Sequence, residues 1–451
     1  DMFKHTTNTR SILGRALQAA HRLVSTIGGK IIVLQSTLPN EGEGALKPRE
    51  NIQLLGTPQE SQLLQAESSF YKQMAITCSP SQIAIDMFLF NSIYIDIATL
   101  SGCAKFTGGA VYHYDKFNAV RQEDAIKFTT EFSHFLSKPL GLEAVLRVRA
   151  SRGVKLTAFH GNLFLRASDL LSLPNVTPDN SYAIEFSVSE NITTPVVSFQ
   201  TAVLHTSSNG ERRIRVITTA VPVTNDINRI IRSIDEVALI SLLVKKGVER
   251  CLTTKLEDAR DSALQKLEDI MQVYRSNCIS SQQGLRMLIP YNLRHAPLLT
   301  LALLKNLGFR SSKSIPSDIR SYILSMLYIF PPEMVITYLI PKMYLLLDMS
   351  NDSGRPISPD SDIIRMPMPM NPSSERLSTT GIVLLETGLE IFIWVGKNVP
   401  QTFIQNLFGV NGYESISFGK TTIPKLDNDF NIRVNAIISD IRRIRLTMMN
   451  I

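Results

Sequence analysis

The spacing of apolar residues changes character several times along this chain, and each change restricts what the segment can fold into. Up to residue 137, helix-like and strand-like stretches alternate. SILGRALQAAHRLVST places Ile12, Leu13, Leu17 and Ala20 on one helical face. Gly28-Gly29 ends that helix, and KIIVLQST follows as a nearly continuous apolar run, which predicts a strand buried on both sides. Beyond a Gly/Glu/Pro-rich loop, LPNEGEGALKPREN, come a helix (SSFYKQMAITCS), a strand (IAIDMFLF) and a short helix around IDIATLSGCAKFTG. A strand (AVYHY) and a helix (AIKFTTEFSHFLS) complete the series. Such alternation predicts a doubly wound α/β sheet for residues 1–137. A sheet that opens on a helix predicts that its first strands lie upstream. The start DMFKHT, neither a signal peptide nor an initiator methionine, predicts the same.

Residues 138–232 switch to a period of two. VLRVRAS, VKLTAFHGNLFLR, YAIEFSVS, VVSFQTAVLHTS and ERRIRVITTAVPV are short alternating strands between Gly, Asn and Pro turns, the pattern of a β-sandwich. Asn209-Gly210 marks a tight hairpin before the last of them. Residues 233–347 return to helical spacing. Thr254-Lys-Leu-Glu257 fits a capping box, with Leu256, Ala259, Ala263, Leu267 and Ile270 on one face behind it. HAPLLTLALLKNLGF and DIRSYILSMLYIF are two further apolar helices. A Pro/Ser/Met-rich linker occupies 348–375. The remainder, 376–451, is α/β again: GIVLLET and EIFIWVGK form a hairpin across Gly388, then come the helix FIQNLFG and a closing helix in DFNIRVNAIISDIRRIRL.

At 451 residues the chain has room for such a series of domains. A net charge of +7 is mild for this length and hints at acidic partners without demanding them. It argues against nucleic acid, which calls for a denser basic segment. The longest basic run is RRIR, at 212–215 and again at 442–445. Cys78, Cys103, Cys251 and Cys278 form no CxxC pair, so no zinc site is expected within the chain, and their scatter fits a reducing compartment. The longest apolar run, Val237 to Ile240 resuming at Leu242 to Val244, is far too short to span a bilayer. Enzyme signatures fail as well. Phe418-Gly-Lys-Thr-Thr422 looks like the end of a P-loop, but the glycine required five residues before Gly419 is Glu414. There is no GxSxG, HExxH or GxGxxG. His160 is expected to be a core or hairpin histidine, and Trp394 a packed core aromatic.

The informative pattern is arginine on strands. In Val145-Leu-Arg-Val-Arg149, alternation puts Arg147 and Arg149 on one face and Leu146 and Val148 on the other, core face. Two guanidinium groups about 7 Å apart can clamp a carboxylate pair, each binding bidentately. In Arg212-Arg-Ile-Arg215, Arg213 and Arg215 share a face. Arg212 falls with Ile214 and Val216, where a buried or half-buried ion pair is expected. The plainer reading of all five is solvated strand surface paired with nearby acids. No aromatics interleave with them, so the stacking platforms of a single-strand nucleic-acid binder are missing.

Taken in order, SILGRALQAAHRLVSTIGGKIIVLQSTLPNEGEGALKPRE, GLEAVLRVRASRGVKLTAFHGNLFLRASDLLSL, FQTAVLHTSSNGERRIRVITTAVPV, KLEDARD, LLTLALLKNLGFR and IFIWVGK resemble the inner-coat family of the COPII vesicle coat, in its cargo-adaptor (Sec-twenty-four) type. The resemblance runs the whole length. It implies a von Willebrand A-like trunk, a β-sandwich, a helical domain and a gelsolin-like domain, with a zinc-finger module upstream and no cofactor in this chain. It implies a non-enzymatic adaptor at endoplasmic reticulum exit sites. Its partners would be the sister coat subunit, a Sar-type small GTPase, an acidic membrane surface, and the short, often acidic, sorting signals of membrane cargo. The sister subunit itself, which activates the GTPase, is the alternative. Residue by residue, the family's acidic-signal pocket carries over to Arg147, Arg149 and Leu204. GERRIRV is shared by both coat subunits, so Arg212, Arg213 and Arg215 are expected to serve architecture or a basic surface.

Overall fold

Helix α1 (Leu13–Val24) buries Leu13 and Leu17. Ile12 precedes its first turn and is exposed, contrary to its predicted place on the buried face. The architecture is that of a computed structural model, which describes residues 6–167, 169–278 and 289–443. They divide into two units: residues up to 117 with 139–332, and 118–138 with the residues from 333 onward.

In the first unit, β1 (Gly29–Gln35), α2 (Ser61–Leu64), α3 (Phe70–Cys78), β2 (Ile83–Leu89), α4 (Ile97–Thr107) and β3 (Val111–His113) build a parallel three-stranded sheet, ordered β1-β2-β3. The strand buried on both faces is the central β2, every residue of which is buried. β1 lies at the edge among the described strands, so its Ile32 and Leu34 are exposed; its apolar run does not give two-sided burial. Tyr71, Cys78, Ile85, Met87, Leu100 and Cys103 form the core between sheet and helices. Helix α5 (Gln122–Ser137) groups with the second unit.

The period-two region forms a five-stranded antiparallel sheet, ordered β10-β9-β4-β7-β6, facing a two-stranded β5-β8 pair. The strands are β4 (Gly141–Ala150), β5 (Val154–His160), β6 (Phe164–Ala167), β7 (Leu170–Val176), β8 (Ala183–Val188), β9 (Val196–Ser207) and β10 (Arg212–Pro222). What reads in sequence as one long strand, VKLTAFHGNLFLR, is two, divided at Gly161. Leu146, Val148, Leu171 and Leu173 fill the interior. The β9–β10 turn places Gly210 at φ +82, where a side chain would strain the backbone. β10 is an edge strand, exposed along its whole length.

The helices α6 (Ile227–Arg232), α7 (Glu236–Thr253), α8 (Leu256–Cys278), α9 (Ala296–Lys305) and α10 (Ser317–Ile329) follow. Asp226 and Asp235 cap α6 and α7 through their side chains. The predicted capping box at α8 does not form. Thr254 closes α7 instead, its hydroxyl donating to the Arg250 carbonyl at 2.9 Å. The apolar stripe behind it does form, with Leu256, Ala259, Ala263 and Leu267 buried. α10 is tied to the trunk by charge. Arg320 and Glu60, both with fully buried side chains, pair at 2.7 Å, and Arg320 also donates to the Leu307 and Gly308 carbonyls. The Asp318 carboxylate accepts the backbone N–H groups of Ile95 and Ile97.

In the second unit, α11 (Pro332–Leu339), β11 (Lys342–Leu345), β12 (Pro369–Met370), β13 (Ile382–Glu386), β14 (Ile391–Val395), α12 (Gln401–Phe408) and α13 (Asp429–Arg443) make an antiparallel sheet, ordered β12-β11-β13-β14, with helices against one face. Tyr344, Leu384, Ile391 and Ile393 meet Ile404, Leu407, Val434 and Ile437 there. Trp394 points the other way and is 46% exposed. Strand alternation sends Ile393 and Val395 inward, which corrects its expected place in the core. The second RRIR run continues past Arg443, outside the described residues.

Candidate functional site: an arginine-bearing sheet face

The register of β4, β9 and β10 fixes which side chains meet. Val145, Arg147 and Arg149 stand opposite Leu204, Ala202 and Gln200 on β9. Those residues stand opposite Ile214, Val216 and Thr218 on β10. Directly opposed residues in an antiparallel pair share a face. The structure therefore brings Arg147, Arg149 and Leu204 together on the outer face of the sheet, beside Val145, Ile214 and Val216. Leu146 and Val148 point into the core on the other side. The face is open. Arg147 and Arg149 are exposed, and Leu204 is half-buried between its apolar neighbours. Its chemistry is a pair of cations on one strand with an aliphatic strip two strands wide alongside.

The two cations are not equivalent. The Arg147 Nε donates to Asp169 Oδ2 at 2.7 Å. Arg149 has no hydrogen-bond or ion-pair partner among the described residues. Asp169 gives no signal in the sequence as a partner. It lies in the turn between β6 and β7, and Leu170, the next residue, is the register partner of Arg147. Only the pairing of β7 with β4 brings it there.

Arg212 lies on the outer face with Ile214, as alternation requires, and reaches the Glu143 carboxylate at 3.4 Å and the Thr206 hydroxyl at 2.8 Å. Both members of that ion pair are more than two-fifths exposed, so the expected burial is corrected. An edge strand has no neighbour to cover it. Glu143 sits in a β-bulge at φ +50, and the bulge turns its side chain toward Arg212. Arg213 and Arg215 share the opposite face. Arg213 pairs with Glu211, and Arg215 has no partner among the described residues. His205, directly opposite Arg213, has its pKa lowered by burial and then by Arg215, Arg213 and Arg212.

His160 is buried, as expected, but it is a junction as well as a core residue. Its ring nitrogens lie 2.9 Å from Glu249 on α7 and 2.8 Å from Glu185 on β8. Lys246 donates to Glu185, and the Tyr328 hydroxyl to Glu249 at 2.5 Å. Burial opposes the ring's proton, but its hydrogen bonds to the Glu249 and Glu185 carboxylates outweigh that and raise the pKa. Every acid at this junction is engaged, so His160 works as a clasp between sandwich and helices. Nearby, burial pushes Lys245 down to about 7 while its ammonium donates to the Tyr328 carbonyl.

No three His, Cys, Asp or Glu residues among the described ones are grouped to hold a metal ion. The cysteines are free thiols, and burial pushes Cys78 and Cys251 up to about 12, away from the thiolate a zinc ion needs. No helix among the described residues is long and apolar enough to cross a membrane.

With this geometry in hand, comparison with known proteins is specific. The Sec23/Sec24 trunk domain matches residues 1–136, the Sec23/Sec24 beta-sandwich domain residues 141–224 and the Sec23/Sec24 helical domain residues 235–337. A gelsolin repeat matches residues 364–438. Among relatives, the protein transport protein SEC24 of Pyricularia oryzae is 46% identical over 443 residues, 98% of this chain and 46% of the relative. That of Coccidioides immitis is 46% identical over 446 residues, 99% of this chain and 48% of the relative. The crystal structure of the human COPII-coat protein Sec24c superimposes with a TM-score of 0.92 at 27% identity, covering 100% of this chain and 59% of that one. The chain thus spans about half the length of the curated relatives it matches.

Proposed function

The chain belongs to the Sec23/Sec24 family, and from that we propose that it is part of a non-enzymatic cargo adaptor of the COPII coat, collecting export cargo at the endoplasmic reticulum for transport to the Golgi. It reads acidic sorting signals on cytoplasmic tails. The observation that carries this reading is the outer sheet face, where Arg147 and Arg149 stand two residues apart on β4 beside Leu204. An extended peptide with acids two residues apart presents its carboxylates at the same repeat, about 7 Å. Charge-assisted, bidentate hydrogen bonds would hold the acids, and Leu204 with Val145 and Ile214 would wall an apolar neighbour. One exposed Arg–carboxylate contact is weak. Two contacts with an apolar strip reach micromolar affinity, about 8 kcal/mol, which suits a coat that must release its cargo.

We take as partners the sister coat subunit, a Sar-type GTPase and an acidic membrane surface. The exposed cations of β10 suit such a surface, and the chain works as a peripheral protein without a bound cofactor. The relatives named SEC24 favour this adaptor role over that of the GTPase-activating sister. The test is titration of a labelled diacidic peptide into the protein and into its Arg147→Ala/Arg149→Ala variant. At least tenfold weaker binding by the variant is expected. Equal affinity would remove the site.

A further inference from the structure

We propose that Asp169 is a built-in competitor for the acidic ligand. It occupies Arg147 in the free molecule and so weakens binding of ligands with two carboxylates while leaving ligands with one unaffected. This rests on the reading of the Arg147–Arg149 face given above.

Of the two guanidiniums that β4 presents on the outer face, Arg149 has no partner among the described residues and Arg147 is taken, its Nε 2.7 Å from Asp169 Oδ2. The placement follows from the fold. β6 and β7 form a hairpin whose turn carries Asp169, and the register of β7 on β4 sets Leu170 directly across from Arg147. The carboxylate is therefore held one residue away from the arginine's cross-strand neighbour. It occupies the position that a ligand's second carboxylate would need.

The pair is displaceable. Arg147 is 45% exposed and Asp169 32%, so water and salt weaken their attraction. A ligand with a single acid engages Arg149 and leaves Arg147 with Asp169. A ligand with two acids must expel Asp169 to gain its second contact. The exposed-pair range corresponds to a factor of about two to five in affinity. Asp169 thus raises the threshold for diacidic ligands without closing the site to them.

The experiment uses two labelled peptides that differ only in whether the second acid is aspartate or asparagine. Each is titrated into the parent protein, Asp169→Asn, Asp169→Ser and Arg147→Ala/Arg149→Ala, after circular dichroism has verified that the variants fold. Asp169→Asn and Asp169→Ser are expected to bind the diacidic peptide about two- to fivefold more tightly and the monoacidic peptide as the parent does. Unchanged or weaker diacidic binding by both Asp169 variants, with binding still lost in Arg147→Ala/Arg149→Ala, overturns the competitor and leaves the site standing. Full binding by Arg147→Ala/Arg149→Ala overturns the site and the competitor with it.

Discussion

At the residue scale, this molecule concentrates its charge pairs at two depths, and their energetics differ accordingly. Arg320 and Glu60 are both fully buried: Arg320 donates to the Glu60 carboxylate and to the Leu307 and Gly308 carbonyls, and Glu60 also accepts the Gly56 N–H. Removing one member strands the other in a low-dielectric interior. Arg320→Met is therefore expected to destabilise the first unit by about 3–5 kcal/mol in urea unfolding, far more than an exposed pair such as Arg213–Glu211 could contribute. His160 gives a pH-dependent counterpart. Because its folded pKa is raised, the stability it adds is fully present below the unfolded value of about 6.5 and is lost as pH rises through the folded value. An NMR titration should place the His160 pKa above 6.5, and His160→Gln should flatten the alkaline-side loss of stability between β5 and α7. That Arg147 and Arg149 share a face was legible in the sequence because side-chain alternation is strict, whereas Leu204 came only from the family resemblance. Asp169 was not legible, because its partnership depends on the pairing of strands from different turns.

At the element scale, the strands that sequence reading found are those whose apolar residues either alternate or run on without a turn-forming residue between them. β7 escapes it. Ser172, Pro174 and Asn175 break the apolar pattern of LLSLPNV, yet β7 pairs with β4 on one side and β6 on the other. Proline is tolerated there because the β4–β7 register skips Pro174 and Glu143, the bulge residue, so no ladder hydrogen bond is asked of the missing N–H. The same bulge supplies the acid that meets Arg212. β1 errs in the opposite direction, since an unbroken apolar run does not reveal whether a strand is central or at an edge. Close packing between elements makes a sharper prediction at Gly109, between α4 and β3. A methyl group there would lie 1.9 Å from the Ile85 carbonyl oxygen on β2. Backbone of a central strand cannot yield, so Gly109→Ala is expected to cost more than about 3 kcal/mol or to prevent soluble expression.

At the scale of the whole molecule, the succession of hydrophobic periods anticipated the architecture: parallel trunk, antiparallel sandwich, helices, then a second α/β unit. Such large-scale order is legible because each period commits a long segment at once. The proposed function rests on a much smaller feature, one open face where Arg147 and Arg149 stand beside an aliphatic strip. If exposed charges carry recognition, affinity for acidic peptides should fall steadily as salt rises from 50 to 300 mM. The most direct measurement is a double-mutant cycle between Arg149→Ala and replacement of one peptide acid by its amide. The account predicts a coupling energy of about 0.5–2 kcal/mol between Arg149 and a single peptide carboxylate. A coupling of zero for every acid in the peptide would contradict it.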